Sequence, residues 1–179
     1  MIDGNFSSKP TPTSPDLVQL RCTINGEATE VAVDPTETIY DTLRERLRLT
    51  GTKGACLEGE CGSCTILVDG QPVTACLVLS PQLQDKTIVT VEGLAKPGDE
   101  AASKRLHVVQ RAFVDAGAVQ CGYCTPGLIM SAVALLEHTP KPSLDEVKAG
   151  LAGNLCRCTG YMKIIGAVMQ AAEQIAEPS

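Results

Sequence analysis

The chain has 179 residues, a formal net charge of −6 and 44% hydrophobic residues, with no tryptophan and 3% aromatic content. An acidic chain without a Lys/Arg run lacks the electrostatic footprint of a nucleic-acid binder. No apolar stretch approaches the roughly 18–20 residues that span a bilayer, so one large or two small domains with an aliphatic core are expected.

Residues 1–16 (MIDGNFSSKPTPTSPD) are rich in Ser, Thr and Pro and are expected to form a flexible tail. They hold neither an apolar signal core nor a twin-arginine pair, which predicts a cytoplasmic protein. In that compartment cysteines are more often metal ligands than disulfides.

A mixed α/β domain is predicted over residues 17–95. LVQLRCTI (17–24) and TEVAV (29–33) read as strands joined by the turn pair Asn25-Gly26. Residues 38–47 carry Ile39, Leu43 and Leu47 on one helical face. A loop with Gly51, Gly54, Gly59 and Gly62 follows. TILV (65–68) and PVTACLV (72–78), around Asp69-Gly70, form a second hairpin, and TIVTVE (87–92) a closing strand. Two hairpins, one helix and a closing strand suggest a β-grasp domain.

Lys96-Pro97-Gly98-Asp99 marks a boundary, and the period turns helical over 101–176. Ser103 is expected to cap a helix bearing Leu106, Val109 and Phe113 and stopping near Gly117. Thr125-Pro126 reads as an N-cap followed by proline, and Ser143-x-x-Glu146 as a capping box. A last helix begins near Gly160 and carries Ile165, Val168, Met169 and Ala172. The fold class is α+β: a β-grasp domain followed by a four-helix domain.

Eight of the nine cysteines fall into two groups. The first is Cys56-x4-Cys61-x2-Cys64-x11-Cys76, the plant-type ferredoxin spacing for one [2Fe–2S] cluster. The second is Cys121-x2-Cys124-x31-Cys156-x1-Cys158, again four thiolates. Each anionic cluster needs offsetting positive charge. The glycines among Cys56, Cys61 and Cys64 would let backbone N–H groups approach sulfur. The second group would lie at two helix N-termini, with Arg157 and Lys163 near. Structural zinc also takes four cysteines, so the second group alone leaves zinc open. Disulfides would need an oxidising compartment and would leave a cysteine over.

Cys22 lies in a strand pattern and is expected in the core. His107 and His138 read as surface or helix-end residues. Met130, Met162 and Met169 read as bundle packing, and Glu27, Glu30 and Glu37 as solvated faces. No acid–base pair, nucleophile triad or phosphate loop stands out, so catalytic residues are expected in another chain.

GACLEGECGSCTILVDG, QCGYCTPG and GNLCRCTGY resemble the small iron–sulfur subunit of the molybdenum hydroxylases, the xanthine oxidase family, over roughly residues 17–175. The resemblance implies two [2Fe–2S] clusters here. It also implies a large subunit carrying molybdopterin in a dinucleotide form, a medium subunit carrying FAD, and a dimer of heterotrimers. Electrons would pass singly from molybdenum through the helical-domain cluster and the β-grasp cluster to FAD. By the same resemblance Gln120 reaches the pterin and Cys158 lies against it. An independent two-cluster ferredoxin and a zinc-stabilised interaction module are the rival readings. The apolar turns at 120–123 and 160–165 favour burial against a partner. The substrate is set elsewhere.

Overall fold

The computed structural model describes residues 16–95 and 106–176. The boundary motif at 96–99, the Ser103 cap and all but Asp16 of the expected tail lie outside the described residues.

Five strands form one sheet in the order β2-β1-β5-β3-β4: β1 Val18–Ile24, β2 Glu27–Val33, β3 Thr65–Val68, β4 Gln71–Thr74 and β5 Thr87–Val89. β1 pairs with β5 in parallel; the other pairings are antiparallel. Both hairpins close on two-residue turns with positive φ at both positions, 53° and 85° at Asn25-Gly26, 48° and 80° at Asp69-Gly70. Such turns match the right-handed strand twist.

Two predicted strands end early. After β4 the chain coils into a 3-10 turn, Ala75–Leu77, and after β5 into another, Val91–Leu94. The helix predicted over 38–47 keeps one α turn, α1 Ile39–Asp41, and then widens into a π segment, Thr42–Arg46. The α register gives way where tertiary ties hold the chain. The buried Thr42 hydroxyl lies between Glu37 Oε1 (2.7 Å) and Ser80 Oγ (2.8 Å). Arg46 reaches back to Glu37 at 2.6 Å.

Glu37 therefore departs from the solvated face expected of it: its side chain is only 10% exposed. Burial works against its charge, but hydrogen bonds from Arg46 and Thr42 outweigh that and hold its pKa below the usual glutamate range. Glu27 and Glu30 are exposed as expected.

Four helices follow: α2 Val108–Asp115, α3 Thr125–His138, α4 Leu144–Leu151 and α5 Met162–Ala176. His107 caps α2, its Nδ1 accepting from Val109 N–H while Gln110 returns to the His107 N–H. Cys124, one residue before the expected Thr125, takes the cap position of α3. The Ser143–Glu146 capping box forms as predicted. His138 ends α3, exposed, beside Gln71. None of the described helices is long and apolar enough to cross a membrane.

Adjacent residues of β3 feed two cores. Ile66 joins Leu20, Cys22, Ile24, Ile39 and Leu43 under the sheet, whereas Leu67 joins Phe113, Leu128, Met130 and Ile164 among the helices. Alternation along the strand gives each domain one face of it. Cys22 is a core residue as expected, and Met130 is fully buried. Met162 is not packing: it is 78% exposed on the first turn of α5.

α3 lies against β3, and Gly127 makes the approach possible. A Cβ there would overlap the Gly62 carbonyl oxygen. Gly127→Ala is expected to cost about 1–3 kcal/mol through overpacking, a fall of about 2–4 °C in Tm per kcal/mol. Gly166, inside α5 with open space beside it, gives the opposite sign: Gly166→Ala gains up to about 1 kcal/mol of helix propensity. Thermal unfolding of the two variants checks the pair.

Candidate metal centres

The glycine-rich loop places Cys56, Cys61 and Cys64 ahead of β3, and the turn after β4 adds Cys76. Leu57 (φ 57°), Gly59 (φ 82°) and Gly62 (φ 66°) fold this loop inward. The Glu58 and Cys61 N–H groups both donate to Cys56 Sγ at 3.4 Å. Ser63 Oγ lies 3.6 Å from Cys61 Sγ. Cys64 and Cys76 are buried; Cys56 and Cys61 are half-buried.

The sulfurs stand in pairs. Cys61 is in hydrogen-bond reach of Cys56, and Cys64 of Cys76. Burial pushes the Cys64 thiol up to about 12, with the Cys76 sulfur adding to it. Burial also pushes Cys61 up, but the Ser63 N–H and hydroxyl, with Cys56, outweigh it and bring it to about 7.

The second group is also paired. Cys121 and Cys124 end the loop before α3; Cys156 and Cys158 lie between α4 and α5. The Cys158 and Cys121 sulfurs are 3.5 Å apart, and both residues are exposed. Cys124 meets Cys156, and burial together with that neighbour pushes its thiol up to about 12. Cys156 itself is brought to about 7: burial raises it, but the Thr159 hydroxyl and nearby N–H groups outweigh burial. The start of α3 directly follows Cys124, while α5 begins four residues past Cys158. Arg157 and Lys163 are exposed.

The donor set fits two-iron clusters. Two sulfur pairs per site suit a [2Fe–2S] cluster, in which two irons share four thiolates. A buried thiol at about 12 stays protonated alone, whereas a bound metal deprotonates a coordinating thiol outright.

Five polar side chains at these sites carry no signal of their own in the sequence. Asn154 is buried; its Nδ2 donates to Gly62 O at 2.9 Å and reaches Thr65 Oγ1 at 3.2 Å. Tyr123 OH donates to Gly54 O at 2.7 Å. Tyr161 OH accepts from Cys156 N–H at 2.7 Å and donates to Asn154 O at 3.2 Å. Thr159 and Ser63 place hydroxyls by sulfur. All five lie inside the three cysteine motifs quoted above, which is the signal that could have found them. Gln120 is exposed beside Cys121.

Exposed apolar side chains lie close in sequence to the exposed pair: Val119 and Tyr123 flank Cys121, and Leu155 and Met162 stand on either side of Cys158.

The fold and donor set define a protein with two [2Fe–2S]-binding domains. Residues 22–93 match the family described as 2Fe-2S iron-sulfur cluster binding domain, and residues 90–169 the [2Fe-2S] binding domain. The chain is 45% identical over 159 residues to the nicotinate dehydrogenase small FeS subunit of Eubacterium barkeri, covering 89% of this chain and 98% of that one. It superposes on quinoline 2-oxidoreductase of Pseudomonas putida 86 with a TM-score of 0.82 and 44% identity, over 89% of this chain and 96% of that chain. Aldehyde oxidoreductase of Desulfovibrio gigas matches with a TM-score of 0.82 and 38% identity, over 89% of this chain but 17% of that longer one. The chain belongs to the small iron–sulfur subunits of the molybdenum hydroxylases, the xanthine oxidase family.

Asn154→Leu removes one of the three donors to the Gly62 carbonyl at a buried junction. The expected loss is about 0.5–1.5 kcal/mol, the net worth of one hydrogen bond, read as a lower Tm in thermal unfolding.

Proposed function

We propose that this chain is the electron-transfer subunit of a multi-subunit molybdenum hydroxylase. Cys56, Cys61, Cys64 and Cys76 ligate one [2Fe–2S] cluster in a β-grasp domain over 17–95. Cys121, Cys124, Cys156 and Cys158 ligate the other in a helical domain over 101–176. Single electrons enter from a molybdopterin centre in a large subunit, cross the helical-domain cluster and then the β-grasp cluster, and leave to FAD in a medium subunit. The assembly is a cytoplasmic dimer of heterotrimers. Gln120 and Cys158 contact the pterin.

The observation that carries this reading is the unequal exposure of the two sites. Cys121 and Cys158 are at the surface, with exposed apolar residues next to them in the chain, whereas Cys64 and Cys76 are buried. An outside redox centre can approach the Cys121–Cys158 pair closely, and apolar neighbours exclude water there once covered. The protein's part is position, insulation and potential, and the clusters supply one-electron chemistry when bound.

Low-temperature EPR of the dithionite-reduced protein, with iron and zinc measured on the same sample, tests the reading. Two distinct signals and about four irons per chain are expected from two clusters; silent spectra with stoichiometric zinc would reject it. Cys158→Ser is expected to alter the helical-domain signal and slow substrate-driven reduction, leaving the β-grasp signal intact. Simultaneous loss of both signals would count against two independent sites. Gln120→Ala is expected to slow substrate-driven reduction with both clusters retained, and an unchanged rate would remove Gln120 from the pterin contact.

A further inference from the structure

Thr159 directly follows Cys158, yet its hydroxyl faces a different sulfur. Thr159 Oγ1 lies 3.0 Å from Cys156 Sγ. The same oxygen accepts the Tyr161 N–H at 3.3 Å. One lone pair is thereby engaged by the backbone, and the hydroxyl proton is left to point at sulfur. A ligating thiolate has no proton to donate, so Thr159 must be the donor in that state.

The loop around it is held in place. Tyr161 adopts a positive φ of 67°, uncommon for a non-glycine residue. That conformation folds its ring back so that the phenol bridges Cys156 N–H and Asn154 O. Thr159 and Cys156 are both half-buried, so their contact is only partly screened by water. A hydrogen bond to a charged acceptor is about twice as strong as a neutral one.

We propose that the Thr159 hydroxyl raises the reduction potential of the helical-domain cluster by donating a hydrogen bond to the Cys156 thiolate. The inference rests on Cys156 being a cluster ligand, as proposed above. A cluster held there would gain one negative charge with each electron taken from the partner centre, or from the reductant in a titration. The sulfur becomes a better acceptor, so the bond strengthens in the reduced form; the proton stays on Thr159 Oγ1 and no covalent bond breaks. Hydrogen bonds to sulfur are a recognised control on such potentials. Ser63 holds the corresponding place at the other site with a longer contact, 3.6 Å to Cys61 Sγ. Thr159 is a positioning residue for charge and touches no substrate.

The test is an EPR-monitored redox titration of the full chain, purified with the subunits that accompany it. Thr159→Val keeps shape and removes the hydroxyl. Its helical-domain signal should titrate lower, with electron uptake weakened about tenfold, which is about 59 mV for a one-electron couple. The β-grasp signal should not move, and Thr159→Ser should restore the original midpoint. Ser63→Ala should move only the β-grasp signal, and by less. An unmoved helical-domain midpoint in Thr159→Val, with iron content intact, overturns the proposal, as does a Thr159→Ser midpoint as low as that of the valine variant. Should Thr159→Val lose the cluster, pulsed ENDOR of the unsubstituted chain decides. A strongly coupled proton that exchanges within a brief transfer into D2O supports the hydroxyl, and its absence overturns it. Failure of the ligand assignment is separate: Cys156→Ser would then leave both signals unchanged.

Discussion

The Gly62 carbonyl is the point on which both domains depend. It accepts the Thr65 N–H at 3.1 Å, the Thr65 hydroxyl at 2.7 Å and Asn154 Nδ2 at 2.9 Å. Gly127 of α3 packs directly onto it. Gly62 itself separates Cys61 from Cys64, so the atom that docks the helices also fixes the first cysteine loop. A second bond runs beside it, from Leu155 N–H to Cys61 O at 2.9 Å. Leu155 is the neighbour of Cys156. One hydrogen bond and two peptide units therefore connect a cysteine of each group. Under the proposed function this sets the spacing between the clusters as rigidly as the packing of α3 on β3.

The thiols give that rigidity a consequence for assembly. Burial pushes Cys64 and Cys124 up to about 12, so neither ionises without a compensating cation. Under the proposed function, metal uptake must release their protons, and its free energy becomes folding free energy of the loops that carry them. The two sites differ in what remains open. Cys64 and Cys76 are enclosed by the sheet domain, whereas Cys121 and Cys158 stay exposed. An exposed sulfur pair with exposed apolar residues next to it in the chain is a liability for a lone chain and an asset for one that is covered in an assembly.

Much of this was legible because the informative residues are local. Asn25-Gly26 and Asp69-Gly70 specify hairpins by backbone conformation alone, and Ser143 with Glu146 specifies a helix start. The close-set cysteines are local in the same way: Cys56, Cys61 and Cys64 share one loop, Cys121 and Cys124 a second, and Cys156 and Cys158 a third. What was not legible is set by tertiary contact. Thr42 and Glu37 read as ordinary helix and surface residues, yet contacts with Ser80 and Arg46 turn the helix into a π segment. The α2 cap fell on His107, a residue outside the usual capping set, because Gln110 completes the box. Met162 fits the helical apolar stripe but lies exposed on the first turn of its helix. Asn154 lies inside the GNLCRCTGY motif, but its docking role was not legible there, since its partner is 92 residues away.

The use of tyrosine follows from the same division. The cores are filled by aliphatic side chains, with Phe113 the one large aromatic fully buried among the described residues. All three tyrosines of the chain stand at the cysteine loops. A Cβ on Gly54 would meet the Tyr40 ring, Tyr123 donates to the Gly54 carbonyl, and Tyr161 bridges Cys156 and Asn154. A phenol combines a rigid apolar body with one hydrogen-bonding tip, which suits a loop that must be held without being filled. Tyr161 shows what such holding costs. Its backbone conformation is unfavourable by about 1–3 kcal/mol, and the bonds its phenol and the Thr159 hydroxyl make offset that. Under the proposed function, a sulfur whose charge changes with each electron needs surroundings that do not reorganise, and a strained residue fixed by its own side chain provides them.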